Sequence, residues 1–237
     1  RLNLRRGLLD TFDHEFARLG RTAEQRGLDG LYEQAFSMIS SPRVRQAFDL
    51  SRADRARGDR YGRHTFGQGV FLARQLVEAG VPLVTVYWPN GTPRTDIGWD
   101  NHINNFRNLK NWQLPPVDRA LSALLEDLHR TGKLDETLVV WAGEFGRSPG
   151  INDQGGRDHW PQVYSIVMAG AGLPGGPVYG SSASRAAEPA SNPVSPSDVG
   201  ATIYHLLGIQ PETIIHDAFT GQPHPVCRGQ AIGALIA

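Results

Sequence analysis

Thr137-Leu-Val-Val-Trp-Ala142 runs directly into Gly143-Glu-Phe-Gly-Arg147. The first six residues are mostly β-branched, aliphatic or aromatic, the composition of a strand buried on both faces. The next five form a glycine-bracketed turn carrying a carboxylate and a guanidinium. Similar runs stand on either side. Upstream, Pro82-Leu-Val-Thr-Val-Tyr-Trp88 reads as a second strand, followed by a polar loop over 89–105. Downstream, Tyr164-Ser-Ile-Val-Met-Ala169 reads as a third. Helical periodicity accompanies them. Residues 66–79 carry an apolar face of Phe71, Leu72, Leu76 and Val77 and end at Gly80. Residues 116–131 carry Leu121, Leu124, Leu125 and Leu128 and end at Gly132. Ser195-Pro-Ser-Asp198 caps a last helix that closes at Gly208. This alternation predicts an α/β fold, with a mostly parallel central sheet flanked by helices. The Gly-, Ser-, Ala- and Pro-rich residues 170–196 predict a surface excursion, with a hairpin around Val178-Tyr-Gly180.

The flanking sequence is plainer. Residues 1–60 form a helical N-terminal segment, and 61–237 form the α/β domain. In the first, Leu8, Leu9, Phe12, Phe16 and Leu19 share one helical face, and Leu31, Ala35, Phe36 and Ile39 another. Ser41 and Pro42 are the N-cap and first residue of a short helix. The run Arg52–Arg63 alternates with Asp54 and Asp59 and reads as a solvated connection. Lys plus Arg and Asp plus Glu both number 24. That balance gives no basic surplus for a nucleic-acid partner. One cysteine, Cys227, excludes an internal disulfide framework. No run approaches the roughly 18 apolar residues of a membrane span. The sequence opens at Arg1 on helical periodicity, and we read it as the product of processing or truncation.

Ligand-type residues gather where strands end, which is where open parallel sheets bind their ligands. Gly98-Trp-Asp-Asn-His102 follows the first strand; Gly143-Glu-Phe-Gly-Arg147 and Gly156-Arg-Asp-His-Trp160 follow the second. Asp100, His102, Glu144, Asp158 and His159 are therefore candidate metal ligands. Asp100 and His102, two apart on an extended segment, point to the same side. A mixed carboxylate–imidazole set suits zinc, manganese or iron better than calcium. Each residue also has a plain structural role open to it: Asp100 as a turn residue, a histidine as a hydrogen-bonded scaffold group. Glu144 after a buried strand requires a cation, either a metal or an arginine. Arg147 and Arg157 match phosphate or sulfate oxygens, and equally match Glu144 or Asp158 in ion pairs. There is no Gly-x-Ser-x-Gly elbow and no phosphate-binding Gly-Lys-Ser/Thr loop. His205, His216 and His224 lie in no ligand pattern.

These motifs, together with Ser195-Pro-Ser-Asp198-Val-Gly-Ala-Thr-Ile-Tyr-His-Leu-Leu-Gly208, resemble the DUF1501 family of bacterial proteins over nearly the whole chain. The resemblance implies the alkaline phosphatase-like superfamily, a mostly parallel sheet and a metal-holding site. Glu144 resembles the strand-end position where the superfamily places an aspartate ligand, often followed by histidine; Phe145 stands there instead. Asp100 and His102 resemble the ligands of an earlier loop, and His159 the late histidine ligand. By the same resemblance this chain is the C-terminal part of a longer protein, and the nucleophile lies upstream of Arg1. Export from the cytoplasm, often on a twin-arginine signal, is implied too. The function so implied is metal-dependent hydrolysis of phosphate or sulfate esters of small molecules or glycans, with zinc as the favoured ion. The alternative is a protein that keeps the fold and binds anionic ligands or glycans without turnover.

Overall fold

A computed structural model describes residue 32 and residues 36–37, 41–50, 55–89, 98–217 and 220–236. The N-terminal helical faces expected at Leu8–Leu19 and around Leu31–Ile39 lie, Phe36 apart, outside the described residues. The chain divides into two compact units, Arg1–Gln46 with Ile215–His224 and Ala47–Ile214 with Pro225–Ala237. Helix α1 begins at Pro42 as its sequence predicts and runs over Pro42–Ala47.

The second unit is built around two helices. After a short helix α2 (Arg55–Arg60), the His64 ring caps α3 (Thr65–Glu78) by accepting from Gly67 N–H at 3.0 Å. The C-terminal end of α3 closes as a Schellman motif: Gly80 at φ +92° donates to Val77 O, and Val81 to Leu76 O. A one-turn helix, α4 (Asn105–Asn108), passes through a π-turn at Leu109–Gln113 into α5 (Leu114–Arg130). Tyr61, Val70, Phe71, Ala120 and Ala123 form the core between α3 and α5, with Phe66, Val86 and Leu124 at its margin. The fully buried stripe of α5 includes Val117, Ala120, Ala123 and Leu128, while Leu121 and Leu125 sit half-buried beside it. Alanine at the contact lets the helices approach closely, so the larger leucines flank the seam.

The strands depart from the expected sheet. β1 (Val139–Trp141) pairs antiparallel with β4 (Val167–Ala169), and β2 (Gly146–Arg147) antiparallel with β3 (His159–Trp160). A mixed α/β chain is therefore correct. The mostly parallel central sheet is not found among the described residues, where the named ladders of this unit are two-stranded and antiparallel. The connection from β1 to β4 explains the direction. A parallel return needs a crossover, usually a helix; this connection folds back as the β2–β3 hairpin instead. Residues 82–88, expected as a buried strand, form no ladder, and Leu83 and Tyr87 are 80% and 81% exposed. An apolar run specifies extended backbone more firmly than it specifies a pairing partner.

The excursion after β4 contains a hairpin, β5 (Ser181–Ser182) with β6 (Pro189–Ser191), just beyond the predicted turn. Helix α6 (Pro196–Leu206) carries a complete capping box between Ser195 and Asp198. The C-terminal stretch is fastened to it, Gln230 N–H donating to Asp198 Oδ1 at 2.9 Å and Ile232 N–H to Thr202 Oγ1 at 3.0 Å. No described helix is long and apolar enough to cross a membrane.

Candidate metal centre

The β2–β3 hairpin and the loop 98–104 converge. Pairing places Arg147 opposite His159. The loop is anchored from beneath by amides: buried Gln113 donates to Gly98 O at 2.6 Å and accepts from Asn101 Nδ2 at 2.7 Å. Trp99 packs edge-on against Trp88 at 5.6 Å and against Trp141 at 6.3 Å. With Asn101 only 3% exposed, its neighbours Asp100 and His102 are turned outward toward the hairpin. Gly156 sits so close to this loop that a Cβ there would meet His102 O at 1.8 Å. Only glycine permits that approach.

Three of the expected ligands meet. Asp100 Oδ1 lies 2.8 Å from His159 Nε2 and 3.0 Å from His102 Nε2, and the two Nε2 atoms are 3.2 Å apart. Ligand atoms held at about 2.0–2.1 Å in a tetrahedron stand about 3.3 Å apart, and in an octahedron about 3.0 Å. The three atoms thus already have nearly the mutual spacing of one face of a coordination shell. Among the described residues, Asp100, His102 and His159 form the group able to share an ion. The triad is solvent-accessible.

The other candidates fall around it. Asp158 Oδ1 meets the opposite nitrogen of His102, Nδ1, at 2.8 Å. Arg147 donates to Asp100 Oδ1 at 2.6 Å and is also held by Trp99 O at 3.3 Å. Arg157 is turned into the hairpin: it donates to Ser148 O at 3.1 Å and lies over the Phe106 ring at 5.4 Å. Phe145 covers one side of His159, ring centroids 4.4 Å apart. Glu144 is exposed and lies outside the triad. The buried strand end expected for it is not observed, because β1 is itself exposed at Val140 and Trp141. Glu144→Gln should therefore change stability by no more than about 0.5 kcal/mol, the usual range for a free surface position. A melting-temperature loss equivalent to several kcal/mol would instead reveal an ion pair there.

The family model for DUF1501, a protein of unknown function, matches residues 2–236. The chain belongs to the DUF1501 family. No curated protein and no solved structure matches it. In this DUF1501 chain the sequence reading missed Asn101 and Gln113, whose amides fix the loop that presents Asp100 and His102. Alternation could have found Asn101, since a residue between two outward ligands must face inward.

Hydrogen bonds from His159 and then Arg147 hold the Asp100 carboxyl down from 3.8 to about 2. A depressed value means that ionised Asp100 contributes stability above about pH 3.8, and that this contribution is lost as the pH falls through about 2. The contribution is modest because the side chain is 61% exposed. A carboxyl-detected NMR titration should give a midpoint near 2 in the metal-free DUF1501 chain, moving up in His159→Ala. A wild-type midpoint at the ordinary aspartate value would contradict the hydrogen-bonded geometry.

Proposed function

We propose that this chain carries the metal-holding part, without the nucleophile, of a metal-dependent hydrolase of phosphate or sulfate esters, with a divalent ion, zinc by preference, held by Asp100, His102 and His159. One observation carries the reading: Asp100 Oδ1 and the two histidine Nε2 atoms stand 2.8–3.2 Å from one another, brought together from the loop 98–104 and strand β3. One carboxylate and two imidazoles form a donor set suited to zinc, manganese or iron. Such an ion, when bound, polarises an ester and stabilises the departing oxygen. The chain's own residues supply the rest. Asp100 and the imidazoles orient the ligand atoms, and Arg147 offers a planar guanidinium beside them to the oxygens of the bound anion. The alkaline phosphatase-like placement implied by the sequence motifs supports the same reading.

Phe145 favours a second reading. It occupies the place where the wider superfamily often puts a histidine ligand, and it packs on His159 rather than offering a donor atom. A protein that binds anionic ligands at the ion without turnover would need no more than this. Zinc stoichiometry, measured by elemental analysis after dialysis, tests the site that both readings require; about one ion per chain is expected. Hydrolysis of p-nitrophenyl phosphate and p-nitrophenyl sulfate then separates them. Turnover abolished by a chelator and by His102→Ala supports the hydrolase; anion binding without turnover supports the second reading only when the assayed protein includes the upstream residues expected to carry the nucleophile. A chain that takes up no divalent metal overturns both.

A further inference from the structure

We propose that Asp158 is a positioning residue, not a ligand: it fixes the His102 imidazole in the tautomer that offers Nε2 to the ion. The inference rests on the metal reading above and assigns an outer-shell role within it. Its basis is the 2.8 Å contact between Asp158 Oδ1 and His102 Nδ1. The Nε2 of the same ring is the atom that faces Asp100 and His159. A carboxylate accepts and cannot donate, so the hydrogen bond to Asp158 places the proton of the neutral ring on Nδ1; Nε2, 3.0 Å from Asp100 Oδ1 in an ion-pair contact, then presents its lone pair where an ion would sit. An ion on Nε2 lies across the ring from Asp158. Metal-bound histidines commonly have their second nitrogen held this way, and the partner sets both ring orientation and ligand basicity.

The carboxylate is itself held in place. Asp158 N–H donates to Ser148 Oγ at 3.1 Å, and Ser148 N–H donates to Asp158 O at 2.8 Å. Asn152 Nδ2 donates both to Asp158 Oδ1 at 3.2 Å and to His102 O at 3.0 Å. Its own carbonyl accepts from Gln154 N–H at 3.0 Å and Gly156 N–H at 2.9 Å, which settles the way the amide faces. One side chain therefore ties the backbone of the ligand His102 to the carboxylate that orients its ring. A mere surface ion pair has no such anchoring and constrains no tautomer.

The test uses the full chain as wild type, Asp158→Ala, Asp158→Glu and His102→Ala. Nitrogen NMR of the histidine rings reads the tautomer in metal-free protein. Competition with a chromophoric chelator reads zinc affinity, and elemental analysis reads zinc stoichiometry at saturation. In wild type, His102 should be the Nδ1–H tautomer. In Asp158→Ala that preference should weaken and zinc affinity should fall ten- to a hundredfold, with saturating stoichiometry and melting temperature kept. Asp158→Glu should recover part of the affinity. Wild-type tautomer and affinity in Asp158→Ala would overturn the assignment. So would loss of stoichiometry as complete as in His102→Ala, which would make Asp158 a ligand. If the wild type takes up no zinc, the metal reading fails, and the tautomer measurement alone decides whether Asp158 orients the ring.

Discussion

Replacing Asp127 by alanine is expected to destabilise the protein by about 3–5 kcal/mol, the cost of breaking a buried ion pair by removing one partner. Asp127 lies on α5 with no exposed surface. It accepts from the Tyr61 hydroxyl at 3.0 Å, from Arg60 at 2.8 Å and from Arg130 at 2.9 Å, and Arg74 Nε stands 3.6 Å away. Burial works against its charge, but the Tyr61 hydrogen bond and the guanidiniums of Arg74, Arg60 and Arg57 hold its carboxyl below the ordinary value. Alanine would leave the Tyr61 hydroxyl without its acceptor and Arg74, 4% exposed, with Glu78 as its remaining acidic partner among the described residues. Helix α2, which supplies Arg60, would lose one of its ties to α5 and keep those from Arg60 to Glu126 and from Arg119 to the Asp59 and Arg60 carbonyls. For a chain of this size the loss corresponds to a fall in melting temperature of roughly 10 °C. Asp118→Ala, an exposed position on the same helix, is the control. Equal melting curves for the two variants would show that the cluster contributes nothing net.

This keystone was invisible in the sequence, and the reason is physical. Asp127 interrupts an apolar helical face, where an acid reads as a surface residue, and the four arginines around it are spread over 57–130. Local rules recovered what local chemistry decides. Ser195 and Asp198 announce α6 through reciprocal hydrogen bonds within one turn, and Gly80 ends α3 because it can adopt a positive φ. Asp100, His102 and His159 were legible as site residues because their donor types stand out at loop positions. Sheet direction was not legible: Val139–Trp141 and Val167–Ala169 have the composition of buried strands, and pairing direction depends on the route between them. Asp158 was legible as a site residue, but adjacent residues of a hairpin face opposite ways. His159 therefore meets Asp100 while Asp158 meets the far nitrogen of His102.

His159→Ala is expected to abolish metal uptake while leaving the fold intact. The two halves of that expectation come from different features of the site. His159 is 48% exposed, and its Nε2 contacts are with Asp100 and His102, which are exposed or half-exposed themselves. Its removal therefore costs little burial, and stability should stay within about 0.5 kcal/mol of wild type apart from the ring contact with Phe145. On the proposed metal reading, however, one of the three protein donors is gone. The remaining pair, Asp100 and His102, lies on a single loop, so the clamp between that loop and β3 no longer exists. Loss of a direct ligand should exceed the ten- to hundredfold penalty typical of outer-shell changes, taking zinc affinity out of the useful range. Arg147 adds a second consequence. In wild type it shares Asp100 Oδ1 with both histidines; without His159 the carboxylate has fewer partners, and the Arg147–Asp100 pair should tighten against any incoming cation. Arg147→Gln on the His159→Ala background should then restore a small part of the lost affinity. Isothermal titration with zinc, run beside thermal melts on the same samples, separates these effects. A His159→Ala chain that melts normally and still binds zinc as wild type does would remove the triad as the metal centre.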